Sequence, residues 1–411
     1  MKSMPTTSTL FRLGARAGAV TGVYLVAALT VLATVIWLRR AIAPEALRGF
    51  LGLVVFATLT SGLEPATAKA DALRGGAATD LRSILAVSAL KALIASPLLA
   101  LVWRYGDPDL GWTALAWTPA MTVAGFCATD ARVRLDLTGR HTLAVGLKQG
   151  SLAGGLVLAG ALLALGWSLP WAIGLSTLVR LTLVGVLLLV ERPTGGTPPA
   201  GDTRKLWSDR RWFDMAAVSV IAAVSGSADR VFGLRFLPAA AYGAYYVAYE
   251  VISKFWLIPY VLTPILFARQ ASGADNRRFS RVAWGLTALA GAAFLAALTT
   301  MALIWPSLAI PLTGAPLDGP TCAFALAIVL GAFTQLRIAE LQGQGASRRA
   351  LVVSLLSAAM AMAAFYVGAS RFGLTGLFLA WPLKAAFELA LALMPATASP
   401  EAALADDSAV S

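Results

Sequence analysis

Seven basic side chains, Lys91, Lys148, Arg180, Arg230, Lys254, Arg337 and Lys384, lie inside stretches otherwise apolar enough to cross a bilayer, together with five acids, Glu64, Asp229, Glu250, Glu340 and Glu388. A charge at the centre of a bilayer costs roughly 2.5–3.5 kcal/mol even on the lenient insertion scale, so each needs a cavity, a partner or a substrate to offset it. The excess of cations over acids points to a pathway for something anionic. Arg180, in LSTLVRLTLVG, is the foremost binding candidate: it falls mid-span, has no acid three or four residues away, and is too deep to reach either interface easily. Its planar fork also suits the oxygens of a diphosphate.

Lys91 and Lys148 likewise have no acid at helical spacing. Each can snorkel to an interface or face a cavity. Glu250 and Lys254, Lys384 and Glu388, and Arg337 and Glu340 are spaced four, four and three apart, so each pair shares a helical face. Two readings stay open: self-neutralising pairs that let polar helices insert, or cations lining a substrate path with acids that switch partner or proton. Asp229 and Arg230 are adjacent and point about 100° apart on a helix, so they are not expected to pair with each other and each needs another partner. Asp229 is the first candidate for ion coupling or gating. Glu64, beside Pro65, is the second, because a proline-disturbed helix frees backbone carbonyls for a cation.

The elements that must position these residues are membrane spans. Of 411 residues, 58% are hydrophobic and 13% charged, and the mean hydropathy is +0.75, beyond what a soluble domain of this size tolerates. Requiring about 17–25 mostly apolar residues per helix gives spans at 16–38, 46–66, 84–103, 111–129, 143–165, 170–190, 213–233, 241–266, 282–305, 320–341, 350–368 and 373–394. The expected fold is all-α: a polytopic membrane protein of about twelve transmembrane helices in two pseudo-symmetric six-helix lobes. Residues 1–191 form the first lobe, 192–212 a Pro- and Gly-rich cytoplasmic linker, 213–395 the second lobe and 396–411 an acidic cytoplasmic tail. The first apolar run, of about 22 residues, is too long for a signal-peptide core and is expected to be retained.

With the N-terminus cytoplasmic, 20 basic residues fall on the inner side and six on the outer, which places both termini inside. The formal charge of +12 therefore orients spans, and nucleic acid is not an expected partner. Pro44, Gly49 and Pro65 recur at an offset of 194 as Pro238, Gly243 and Pro259, and the Asp136 to Gly139 segment resembles Glu340 to Gly343 at an offset of 204. Two six-helix repeats in the same orientation are the simplest account, although Pro and Gly are common enough here for coincidence. Pro97, Pro119, Pro259, Pro264 and Pro382 should bend their helices. Trp37, Trp103, Trp112, Trp167, Trp171 and Trp305 all fall near outer ends and are expected to form an interfacial belt.

The segment SADRVFGLRFLPAAAYGAYYVAYE (227–250), with Pro259, Pro264 and Phe267-Ala-Arg269 beyond it, resembles the start of the C-terminal half of the polysaccharide flippases. These belong to the superfamily of multidrug, oligosaccharidyl-lipid and polysaccharide exporters. In that family an Asp-Arg near the outer end of helix 7 precedes a hairpin and a Gly-x-Tyr that opens helix 8. Taken with the helix count and length, the resemblance extends over nearly the whole chain. It implies a multi-pass protein of the bacterial inner membrane that moves an undecaprenyl-diphosphate-linked oligosaccharide to the periplasmic leaflet for O-antigen, capsule or exopolysaccharide assembly. A polysaccharide polymerase or chain-length regulator would be an associated partner. Ion-coupled alternating access would drive it, with no cofactor.

Three other readings are weighed. A drug exporter of the same superfamily would be expected to have a less cationic cavity. A glycan-processing enzyme needs a catalytic base and usually a sizeable outer loop, whereas the outer loops span about 4–15 residues, and no Walker A or GxSxG pattern appears. A scaffold within an assembly complex would use its charges for packing alone. Cys127 and Cys322 sit at opposite ends of their spans, too far apart for a disulfide, and His141 lacks the companions of a metal site.

Overall fold

The structure, a computed structural model, describes residues 7–62, 81–137, 140–190, 210–259, 262–263, 266, 277–304, 316–344 and 346–394. Glu64, Pro65, Pro264, Trp305, most of the 192–212 linker and the 396–411 tail lie outside them. No strand occurs among the described residues. In hydrocarbon a backbone must satisfy its own N–H and C=O groups, and runs of about 20 apolar residues do so as helices.

Each of the twelve expected spans corresponds to a helical segment. The first half comprises α1 (Thr7–Ala41), α2 (Pro44–Gly62), α3 (Leu81–Gly106), α4 (Thr118–Leu137), α5 (His141–Val145, a π-turn at Gly146–Gly150, then Ser151–Ala164) and α6 (Leu169–Val190). The second half comprises α7 (Arg210–Ser225 and Ala228–Phe236), α8 (Ala239–Ile252 and a 3₁₀ turn Ser253–Trp256), α9 (Arg277–Ile304), α10 (Gly319–Gly343), and α11 and α12, residues 347–372 and 374–393. Among the described residues six helices meet length and hydropathy thresholds for crossing a membrane alone, counting α11 and α12 as one. The chain is an all-α, two-lobed, multi-pass membrane protein.

The helices depart from regularity where the sequence gives reason. α8 tightens to a 3₁₀ turn just before Pro259, whose missing N–H leaves the carbonyl of Phe255 without its helical partner. α4 starts several residues later than expected, because Trp112–Leu115 forms a separate turn that packs Ala114 and Leu115 inward while Trp112 stays 77% exposed. This shift carries Asp130 from an expected loop into the helix. Between α11 and α12, Gly373 adopts φ 61°, a backbone that L side chains avoid. The two helices then cross with Gly368 and Gly376 backbone to backbone: a Cβ on Gly368 would lie 2.5 Å from the Gly376 carbonyl oxygen.

With the N-terminus drawn at the bottom, the halves meet at the upper end, where α2 packs on α8 and α3 on α7. The Arg48 guanidinium donates to the Leu234 carbonyl. Tyr105 meets Phe232 edge-on at 6.2 Å, with Arg235 5.8 Å from the Tyr105 ring centroid. Pro44 and Pro238 open α2 and α8, and Gly49 and Gly243 sit one turn further on, matching positions in the two halves. The tryptophan belt needs one correction. Trp37, Trp112, Trp167 and Trp171 are exposed, but Trp103 is fully buried and stacks on Phe56 at 4.9 Å. Packing of α3 against α2 and α7 has turned it inward.

Replacing Gly376 by Ala should force the α11–α12 crossing apart and destabilise the fold by about 1–3 kcal/mol. Gly373→Ala, which strains only the backbone, should cost a similar amount, about 1–3 kcal/mol. Thermal melting of the detergent-purified variants, followed by size-exclusion chromatography, checks both.

Candidate functional site

Charged side chains gather in two buried clusters, one in each half. In the first half, α3 contributes Ser88 and Lys91, α4 Cys127 and Asp130, and α6 Arg180. Lys91 Nζ lies 3.6 Å from Asp130 Oδ1, and Ser88 Oγ donates to Asp130 Oδ2 at 2.9 Å. Lys91 thus takes its counter-charge from a neighbouring helix. Asp130 was invisible to a search at intrahelical spacing, and its site role could have been found only from the helix reaching past residue 129.

Arg180 is 5% exposed, as its depth in the span required. It comes off α6 where α5 approaches closely: a Cβ on Gly155 would sit 3.2 Å from the Ser176 carbonyl and 3.9 Å from Arg180 Cβ. Val184, one turn beyond Arg180 on α6, packs with Cys127 and Ala128, which sets this stretch of α6 against α4. Lys148 is also buried, in the π-turn of α5 beside Leu147, which packs with Cys127, Ala128 and Val184. The first half therefore pairs Lys91 with Asp130 and buries Lys148 and Arg180 on the helices that pack against the Cys127 stretch of α4.

The second cluster centres on Asp229, fully buried near the start of the upper segment of α7. Its carboxylate accepts from the Tyr245 hydroxyl of α8, which in turn accepts from Trp381 Nε1 of α12 at 3.0 Å. Arg230 donates to the Gly226 carbonyl at 2.8 Å and Ser227 Oγ at 3.0 Å, and its guanidinium carbon lies 4.7 Å from the Tyr249 ring centroid. The break at Gly226 and Ser227 is what frees that carbonyl. Asp229 and Arg230, expected not to pair because neighbours on a helix point apart, nevertheless stand 3.8 Å apart, inside ion-pair range though beyond hydrogen-bond reach, and each finds other partners besides. Tyr242, Tyr245, Tyr246, Tyr249, Phe324 and Trp381 wall this region with buried aromatic surface.

The three expected intrahelical pairs all form. Glu250 pairs with Lys254 near the same aromatic wall, and Lys384 with Glu388 at 3.0 Å while lying 5.2 Å from the Trp381 ring centroid. Arg337 and Glu340 pair at 3.0 Å in a different place, at the lower end of α10. There Glu340 also accepts from Ser280 Oγ and from Trp284 Nε1 (3.0 Å) of α9, and Arg337 Nε donates to the Ala392 carbonyl at 3.3 Å. A carboxylate with three donors on two helices, clamped to a third helix through arginine, is built for holding α9, α10 and α12 together.

A 390 Å³ pocket opens at the upper end between α2, the α3–α4 connection and the starts of α6 and α8. Glu45, Arg48, Asp107 and Asp109 line it. Asp107 is 6% exposed; burial raises its carboxyl above the ordinary range, with Arg48 pulling the other way. Arg104 braces the same connection through the Leu110 carbonyl at 2.8 Å. The sequence offers these acids only as outer-loop residues. Among the described residues no group of His, Cys, Asp and Glu is arranged to hold a metal ion.

No protein-family description matches the chain, and no match arises among curated proteins. Solved structures do match. The chain is similar to an outward-facing multidrug resistance MATE family transporter of the MOP superfamily (16% identity, TM-score 0.61, 92% of this chain and 93% of that one). It is also similar to a Vibrio cholerae MATE transporter (13%, 0.61, 93% and 95%). A third is a MOP superfamily transporter from Pyrococcus furiosus, whose reverse polarity of the binding pocket suggests a different function (16%, 0.58, 93% and 93%). At these identities the likeness establishes the fold: this chain has the architecture of MATE transporters.

Glu340→Ala should destabilise the protein by about 3 kcal/mol, since it strands Arg337 and the α9 donors; thermal melting reads the loss. Asp107→Asn should raise the melting temperature at pH 7. The folded state holds this carboxyl above its unfolded value, so ionisation works against folding at neutral pH, and the gain should vanish below about pH 4, where both forms are neutral. Melting curves across that range check the sign.

Proposed function

We propose that the protein is an ion-coupled secondary exporter of small amphipathic molecules, working by alternating access of its two lobes. The observation that carries this reading is the likeness to MATE transporters over more than nine-tenths of both chains. Two buried clusters, one per half, with charged groups bridged across helices, give such a carrier polar contacts on either side of its path. The lobes are taken as residues 1–191 and 213–395 with a cytoplasmic linker between them, both termini inside and the chain in a bacterial inner membrane, as the distribution of basic residues favours. Arg48 on Leu234 and Tyr105 on Phe232, which join the halves at the upper end, would be the contacts that part when such a path opens there.

Coupling is assigned to Asp229. Its proton or a bound cation would alter the hydrogen bond from Tyr245, and with it the junction of α7, α8 and α12. Arg180, Lys91 and Lys148 supply cargo contacts in the first half. This carrier forms or breaks no covalent bond in its cargo.

A second reading, the flipping of a polyprenyl-diphosphate-linked oligosaccharide, draws support from the buried cations of the first half, Lys148 and Arg180 beside the Lys91–Asp130 pair, a polarity suited to a diphosphate. Under that reading a polysaccharide polymerase or chain-length regulator would be a partner.

Proteoliposomes decide between them. Under an imposed proton or sodium gradient, fluorescent small-molecule dyes should move with wild-type protein, at a rate lowered at least tenfold in folded Arg180→Ala and Asp229→Asn. Movement of a fluorescent polyprenyl-diphosphate oligosaccharide instead, with the dyes stationary, would favour the second reading. Movement of neither would sink both.

A further inference from the structure

We propose that Arg230 is a built-in cation that fills an acid and aromatic cage in the second half, and that it thereby bars organic cations and reserves the carrier for organic anions. The inference rests on the transport reading above. Cages of aromatic rings with a nearby carboxylate are a general way to hold organic cations, because the ring faces and the carboxylate attract positive charge. This cage has those parts: Asp229 at its floor, Tyr249 with its face towards the site, Tyr242 and Tyr246 fully buried beside it, and Glu250 one turn further along α8. It is already occupied, by the guanidinium of the same chain.

Three observations support occupancy by tether. The guanidinium is 5% exposed, stands over Tyr249 at 4.7 Å and is pinned on its far side by the Gly226 carbonyl and Ser227 Oγ. Attachment to α7 gives it an effective concentration that no free ligand matches. The fit is also incomplete in a telling way. Asp229 Oδ1, Arg230 Nε and the Tyr242 hydroxyl are buried without hydrogen-bond partners. The cage thus presents more oxygens than one guanidinium engages. An organic cation could enter only by expelling Arg230, which would leave a buried guanidinium beside a like charge. In the first half, Lys91, Lys148 and Arg180 offer an anion what the second half denies a cation.

The test uses a matched pair of probes of nearly equal shape and opposite charge, tetraphenylphosphonium and tetraphenylborate, bound to the detergent-purified full chain and corrected for empty micelles. Wild type should bind the borate at least tenfold tighter than the phosphonium. Arg230→Gln, if its melting curve shows a folded protein, should gain at least tenfold in phosphonium affinity, since the acid and the rings remain while the occupant is gone. Equal binding of both probes by wild type overturns the proposal, as does a folded Arg230→Gln with no gain. Should that variant not fold, Arg230→Met, of similar length and without charge, replaces it; a tenfold gain in phosphonium affinity supports the proposal and none overturns it. Competition against the borate identifies the anion: displacement by farnesyl diphosphate below the concentration needed of an anionic dye points to a lipid diphosphate, and the reverse order to small organic anions. These are binding measurements, so failure of transport in proteoliposomes would remove the carrier reading without deciding the occupancy of the cage.

Discussion

A fixed charge in hydrocarbon must be neutralised within a few ångströms or not be there, and this condition governs how the helices of this protein are arranged. Asp229 and Arg230 show its force. Neither reaches the other at hydrogen-bond distance, so satisfying the first recruits Tyr245 and Trp381 from two other helices, and satisfying the second requires a break in α7 that frees the Gly226 carbonyl. The interruption of α7, the tyrosine run on α8 and the inward turn of Trp381 on α12 are answers to one electrostatic demand.

The two halves answer it in different chemical languages. The first uses direct pairing: Lys91 with Asp130, steadied by Ser88. The second adds aromatic faces to its ion pairs, with Arg230 on Tyr249 and Lys384, already paired with Glu388, by Trp381. Ring faces attract a cation without becoming ions themselves, so the second half remains largely apolar around its charges. The two halves run their helices in the same order, while their polar chemistry differs.

Much of the fold was legible because a membrane imposes a simple rule on the chain: apolar runs of the right length become helices. The Glu250, Lys384 and Arg337 pairs were legible too, because helical spacing alone brings their partners together. What stayed hidden depends on which helices are neighbours. Asp130 beside Lys91, Tyr245 beneath Asp229, and Ser280 with Trp284 around Glu340 are separated by 39, 16 and about 60 residues, and no local pattern announces them. Trp103 marks the same limit from the other side. Its position near a helix end is that of an interfacial anchor, and only the arrival of α2 and α7 makes it core.

The glycine crossing at residues 368 and 376 has a mechanical meaning. With two backbones in contact there is no side-chain layer between α11 and α12 to shear, so the pair can only turn together, like the arms of a riveted bracket. Trp381 and Lys384 ride on one arm. A change of register at Asp229 that pulls on Trp381 would therefore move α11, and with it the upper rim of the second half, as a single lever.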